Sequence, residues 1–166
     1  MIKIAFGGGC HWCTEAVFQS LKGVEKVEQG FVASTAENAS FSEAVIVHFN
    51  PEEISLKTLT EVHLITHKST SNHSMREKYR SAIYTFSEAQ KEEASDLIKS
   101  FQPDFEHQLI TRVLPFSVFK GSREAIQNYY LKNPEKPFCK KFIHPKLEML
   151  SKKYSEHIKK QTHPII

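Results

Sequence analysis

Three consecutive glycines, Gly7-Gly8-Gly9, separate an apolar run, Ile2-Lys3-Ile4-Ala5-Phe6, from a stretch that places Ala16, Val17, Phe18 and Leu21 on one helical face. The run reads as a short strand and the stretch as a helix ended by Gly23. Cys10 then falls in the first helical turn, followed by His11, Trp12, Cys13, Thr14 and Glu15. A cysteine there lies at the positive end of the helix dipole, beside N–H groups that have no intrahelical partner. Both effects favour the thiolate, the reactive form of the side chain. Glycines before it let the backbone turn sharply and let another molecule approach closely. The competing reading is a buried structural thiol at an ordinary strand-to-helix turn.

The rest of the chain is long enough to support such a site. Its 166 residues, 40% of them apolar, suit a single domain over 1–166 that buries about two-thirds of its unfolded surface. The 22 basic and 19 acidic side chains leave a net charge of +3, too small to predict a nucleic-acid partner. No apolar run reaches the roughly 18 residues of a membrane span, and Met1-Ile2-Lys3-Ile4 lacks the layout of a signal peptide. Three cysteines, an odd count, do not read as a disulfide framework, so a cytoplasmic protein with reactive thiols is expected.

Along the chain, Val24–Phe31 reads as a strand, 33–41 as a loop, and Glu43–Phe49 as the strongest strand signal, stopped by Asn50-Pro51. Ser55 caps a helix with Leu56, Leu59, Val62 and Ile65. A polar, proline-free loop from Lys68 to Lys78 is long enough to be a functional segment. Ser81–Thr85 reads as a strand, Ser87-Glu88-Ala89-Gln90 as a capping box for a helix to Phe101, and Leu109–Leu114 as another strand. A helix is expected over Glu124–Leu131, a turn at Pro137-Phe138-Cys139, and a last helix from Pro145 with Leu147, Leu150, Tyr154 and Ile158 on one stripe. The basic residues Lys140, Lys141, Lys146, Lys152, Lys153, Lys159 and Lys160 read as a solvated helix face. Strands and helices alternate, and a two-layer α/β domain is expected.

Among side chains able to carry chemistry, Cys10 is the candidate nucleophile. Glu43 opens an otherwise apolar strand, where desolvation would keep its carboxyl protonated as an acid; a solvated edge glutamate is the alternative. Tyr79 ends the polar loop and is a candidate hydrogen-bond donor, Trp12 a candidate pocket wall, and Cys139 a second thiol in a turn.

Together, Gly7-Gly8-Gly9-Cys10-His11-Trp12-Cys13-Thr14-Glu15, Gly30-Phe31, Ser42-Glu43-Ala44-Val45-Ile46-Val47-His48-Phe49-Asn50-Pro51 and Lys78-Tyr79-Arg80-Ser81-Ala82-Ile83 closely resemble the A-type peptide methionine sulfoxide reductases. His67, Phe119, Tyr130-Leu131, Asn133-Pro134, Phe138-Cys139 and Phe142–Lys146 continue the resemblance to the end. It implies an α/β roll on a ferredoxin-like mixed sheet with packed helices. It also implies reduction of methionine S-sulfoxide, free or in oxidised peptides and proteins: Cys10 attacks sulfur, Glu43 protonates the oxygen, Tyr79 hydrogen-bonds it, and Trp12 and its neighbour cradle the methyl group. Cys10 becomes a sulfenic acid, and a second thiol, Cys139 in preference to Cys13, closes a disulfide. Thioredoxin or another thiol is the implied reductant, with no prosthetic cofactor, no metal, no membrane and a monomer expected.

Four positions depart from the family's pattern. His11 stands for a phenylalanine, Phe31 for a tyrosine, Ser74 for an aspartate five residues before Tyr79, and Gln127 for a histidine. The substrate pocket expected from the pattern is therefore His11, Trp12, Phe31 and Ser74. The Phe31 and Ser74 changes remove two polar groups near the oxygen, a loss worth one to three orders of magnitude in rate at roughly 1.4 kcal/mol per tenfold; His11 or His73 is a candidate replacement donor. Competing readings are a thioredoxin-like Cys-x-x-Cys oxidoreductase on Cys10 and Cys13, a zinc site from Cys10, Cys13, Cys139 and His144, and a module that binds oxidised methionine without turning it over.

Overall fold

The computed structural model describes residues 1–159. Its strands are β1 (Ile2–Gly7), β2 (Val24–Ala33), β3 (Ser42–Phe49), β4 (Ala82–Thr85), β5 (Arg112–Pro115) and β6 (Val118–Gly121). They form one sheet in the order β5-β4-β1-β3-β2-β6. The central strands β4-β1-β3-β2 pair antiparallel, and β5 adds parallel to β4. This is the ferredoxin-like mixed sheet expected from the sequence.

The helices are α1 (His11–Gln19), α2 (Leu56–Thr66), α3 (Glu88–Phe101), α4 (Tyr129–Lys132) and α5 (His144–Lys153). On one face of the sheet Ile4, Phe6, Val45 and Val47 meet Phe18, Leu59, Leu147 and Leu150. Phe6 stacks on Phe18 with ring centroids 4.7 Å apart. On the other face Ala5, Ala44, Ile46 and Tyr84 are covered by Phe86, Leu114, Phe116 and Phe119. A strand covered on both faces is apolar without alternation, which is why β3 is the clearest strand in the sequence. Ser55 and Ser87 cap α2 and α3, accepting the backbone N–H groups of Thr58 and Gln90 at 3.1 Å each.

Several local expectations are corrected. The capping box at Ser87 is half made: Gln90 accepts the Phe86 N–H and donates to the Lys3 carbonyl, so it ties α3 to β1. The helix expected over 124–131 is broken, with a single 3-10 turn at Glu124–Ile126 and then α4. Asn128 between them is left-handed, with φ 56°, because its N–H turns inward to the Glu15 carboxylate. The strand expected from Leu109 starts at Arg112, and β6 went unforeseen. Cys139 is not in a loose turn: it begins a π-helical turn, Cys139–Ile143, that runs into α5, and it is fully buried.

Lys146 also leaves the proposed solvated face, since its ammonium donates to the Thr66 carbonyl at 2.6 Å; Lys160 lies outside the described residues. Among the described residues no helix is long and apolar enough to cross a membrane.

Candidate active site

Helix α1 begins at the sheet's central edge because β1 ends in glycines. A Cβ on Gly8, whose φ is +153°, would stand 2.5 Å from the His67 ring, so only glycine fits against that histidine. Cys10 is the N-cap residue of α1 and is half-buried. The Cys13 thiol donates to its sulfur, and the Trp12 and Cys13 backbone N–H groups add to that; together they outweigh burial and the charge of Glu43 and hold the Cys10 thiol below its usual pKa. The donor in that bond, Cys13, is pushed the other way, and burial adds to the rise. One thiol is prepared as a thiolate at the expense of its neighbour.

Glu43 starts β3 opposite Phe31 of β2 and is 7% exposed. Its Oε1 accepts the His11 backbone N–H at 3.1 Å and lies 3.5 Å from His11 Nε2. Its Oε2 is 3.8 Å from the Lys78 ammonium. The His11 ring is held in turn: Nδ1–H donates to the Gly30 carbonyl at 2.8 Å, and Phe31 packs edge-on at 5.1 Å. Lys78 itself is anchored through its carbonyl, which accepts the Glu43 N–H at 3.0 Å. Its ammonium sits 5.2 Å from the Tyr79 ring centre, and its pKa is raised, first by hydrogen bonding to the Tyr79 hydroxyl and then by charge on Tyr79, Glu43 and Cys10. Lys78 thus stands between the acid and the tyrosine, a role its sequence position does not announce.

The polar loop that carries Lys78 and Tyr79 has a centre of its own. Arg76 donates from Nη1 to the carbonyls of Gly8 and Tyr79 at 2.8 and 2.9 Å, from Nε to that of Ser71 at 2.9 Å, and from Nη2 to that of Lys68. His67 accepts from the Ser81 hydroxyl at 2.8 Å, and burial lowers its pKa to about 4. His63, stacked on it at 4.2 Å, donates to the Gly7 carbonyl at 2.8 Å.

On the other side of the thiol stands an aromatic wall. Trp12 stacks on Tyr129 at 4.1 Å and meets Phe138 edge-on at 5.2 Å. Glu15, one turn along α1 and fully buried, fixes that wall. Its carboxylate accepts from Gln29 Nε2 at 2.9 Å and from the backbone N–H groups of Asn128 and Tyr129 at 2.9 and 3.1 Å. Burial nonetheless raises its pKa. Gln127, the residue standing for a histidine, clips onto the Gln29 backbone at 2.7 Å.

Cys10, Cys13, His11 and Trp12 on α1 therefore lie beside Phe31 and Glu43, and Tyr79 follows Lys78, whose carbonyl binds Glu43. Ser74 stands apart: it is exposed, and among the described residues no hydrogen bond joins it to Cys10, Glu43 or Tyr79. His73 is turned to its own loop, where Nδ1 accepts the Met75 N–H at 3.2 Å. Cys139 has its sulfur 3.5 Å from the Asn133 carbonyl, to which it donates, and burial raises its pKa. Among the described residues no three His, Cys, Asp or Glu side chains are grouped to hold a metal, and His144 instead packs on Tyr130.

One cavity, of about 1080 Å³, lies behind α1 between Val24, Val27, Phe119, Tyr130, Leu131 and Leu147. A second, of about 450 Å³, lies behind the polar loop at Arg76, Arg80 and Arg112. Neither is lined by Cys10, Glu43 or Tyr79. The perturbed thiol beside a carboxyl, rather than cavity size, locates the chemistry.

The model of the peptide methionine sulfoxide reductase family matches residues 2–159. The peptide methionine sulfoxide reductase MsrA of Deinococcus radiodurans is 34% identical over 170 residues, 93% of this chain and 82% of that protein. Among solved structures, reduced Mxr1 from Saccharomyces cerevisiae superposes with a TM-score of 0.72 at 24% identity, over 83% of this chain and 88% of that one. Mxr1 in complex with Trx2 gives 0.62 at 23% identity, over 77% and 84%. The chain belongs to the peptide methionine sulfoxide reductase family.

Proposed function

We propose that this chain, acting as one domain, reduces methionine S-sulfoxide to methionine, and the observation that carries the reading is Cys10 at the start of α1 with the buried Glu43 carboxylate bound to the N–H of the next residue, His11, at 3.1 Å. The Cys10 thiolate attacks the sulfoxide sulfur while the Glu43 carboxyl gives its proton to the oxygen. The hydroxyl then passes from the methionine sulfur to the Cys10 sulfur as the bond between the two sulfurs breaks, so methionine leaves and Cys10 is a sulfenic acid. Cys10 is oxidised by two electrons and the sulfoxide reduced by two. Lys78 and Tyr79 carry the positive charge and the hydroxyl that face the oxygen, which offsets the hydroxyl missing at Phe31. Trp12 and Tyr129 bound the methyl side.

A second thiol condenses with the sulfenic acid, releasing water. The hydrogen bond from Cys13 to Cys10 favours Cys13 as the first partner over the buried Cys139, the reverse of the preference drawn from the family's pattern. A thioredoxin-type dithiol then restores the reduced chain, with no prosthetic group needed. A reducing, cytoplasmic setting and a monomer suit this cycle.

The test is single-turnover reduction of a methionine S-sulfoxide by pre-reduced protein. About one equivalent of methionine is expected, none from Cys10→Ser, and a rate that persists below the ordinary thiol pKa because the Cys10 value is lowered. Peptide mapping after that turnover is expected to find Cys10 joined to Cys13. Absence of methionine would return the disulfide-exchange and binding readings.

A further inference from the structure

His11 occupies the residue after the nucleophile, and nothing in the proposed cycle yet uses its ring. The ring is 5% exposed, and its orientation is decided by backbone: Nδ1 must carry hydrogen, because its partner, the Gly30 carbonyl at 2.8 Å, can only accept. In the neutral imidazole Nε2 is then a bare acceptor, and it faces Glu43 Oε1 at 3.5 Å. That separation closes to a hydrogen bond with a shift of about half an ångström, and such bonds commonly tighten when substrate binds. A phenylalanine in this place offers the carboxyl nothing.

The geometry points to His11 as a proton-holding partner of the acid: Nε2 and the Glu43 carboxyl keep one proton between them and deliver it through Glu43 to the departing sulfoxide oxygen. This rests on the reading of Glu43 as the proton donor. With the proton on either atom the pair has the same composition, O–H···N or O⁻···H–N⁺, and it titrates as a unit. After Glu43 protonates the oxygen, the proton released when Cys10 ionises in the next cycle restores the pair, so no outside acid is consumed in this step. His11 does not reach the substrate and is a positioning residue.

The groups that face His11 set the direction. Glu15, one turn further along α1, faces the ring as a carboxylate and helps hold the proton on the pair. Lys78 from the polar loop opposes it through Glu43, and Cys10 lies next along the chain, where its thiolate adds a second negative charge. From β2 only the Gly30 carbonyl and the apolar Phe31 ring meet the imidazole. A lone glutamate and a lone histidine ordinarily release their protons at about 4.3 and about 6.5.

Two measurements decide it. In the first, the single-turnover rate of methionine formation is followed against pH for the native chain and for His11→Phe. The alkaline limb is expected to move down by about two pH units in the variant, the spacing between those two ordinary values. In the second, the His11 imidazole is titrated by NMR in the reduced native chain and in Glu43→Gln. The neutral ring is expected as the Nδ1–H tautomer, with a midpoint that coincides with the native alkaline limb and falls in Glu43→Gln. An unmoved limb in His11→Phe, or a His11 midpoint indifferent to Glu43→Gln, overturns the proposal. If His11→Phe does not fold, the titration of the native chain and Glu43→Gln decides alone. A native chain that makes no methionine at any pH fails the reductase reading, and the titration still reports whether the pair exists.

Discussion

Two irregular segments flank Cys10, and they are fastened in opposite ways. Residues 67–81 wrap around a cation of their own: Arg76 collects carbonyls from Lys68, Ser71 and Tyr79 and reaches out to Gly8. Residues 124–143 hang from an anion that belongs to another element: Glu15 of α1 collects the amides of Asn128 and Tyr129. The first segment is largely self-organised and meets the glycine turn through one hydrogen bond from Arg76 and the packing of His67 on Gly8, so it can be disturbed with less effect on the helix that bears the thiol. The second takes its position from that helix, so aromatic wall and nucleophile move together. A polar segment with half-exposed bonds also costs less to open than one fixed by a fully buried charge.

If that contrast is right, the largest effect comes from Glu15→Ala. Three donors, two of them backbone amides, lose a buried charged acceptor, and the expected loss of stability is about 3–5 kcal/mol in a denaturant titration. A loss under about 1 kcal/mol would mean that the wall is held by aromatic stacking alone. Arg76→Ala is expected to cost less stability, about 1–2 kcal/mol because the side chain is only partly buried. Its turnover should still fall about tenfold or more as Lys78 and Tyr79 lose their frame, and Arg76→Lys should not restore it, since an ammonium cannot span four carbonyls. Arg76→Ala with native turnover would show the loop to be positioned from outside.

The last effect is a pH dependence centred on the first segment. Burial lowers His67 from its ordinary 6.5 to about 4. A group whose pKa is depressed in the folded chain contributes stability above its unfolded value and loses it as pH falls towards the folded one. The window is therefore from about pH 6.5 down to about pH 4, with a loss on the order of 3 kcal/mol. Thermal unfolding across that range, flattened in His67→Asn, checks it.

What the sequence made legible is local. The glycines, Cys10 at a helix start, the serine caps and the two-sided apolar run of β3 all declare themselves within a few residues. The rest depends on partners far along the chain. Glu15 meets Asn128 across 113 residues, and Arg76 meets Gly8 across 68; neither spacing leaves a periodic trace. β6 has only Val118 and Phe119 to mark it and exists because Gly30 lets Lys120 and Phe119 lie against β2. The broken helix at 124–131 begins with the helix formers Glu124 and Ala125, and a tertiary bond at Asn128 overrides them. Cys139 reads as a turn thiol because the prolines around it suggest a loop, whereas the π-helical turn tucks it inward.

Helix α1 has no serine, threonine, aspartate or asparagine at its first position; Cys10 stands there and makes no ordinary side-chain cap. The first N–H, that of His11, is satisfied instead by the Glu43 carboxylate, and the amides of Trp12 and Cys13 help hold the Cys10 thiol below its usual pKa. The reacting atoms are also the cap, a role worth about 1 kcal/mol where it has been measured in other helices. Each oxidation event removes a charged acceptor from the start of a helix whose Phe18 is stacked into the middle of the core. The redox state of one sulfur is thereby written into the melting temperature of the whole protein, and a thermal shift between the reduced and oxidised chains can serve as a label-free reading of which state is populated.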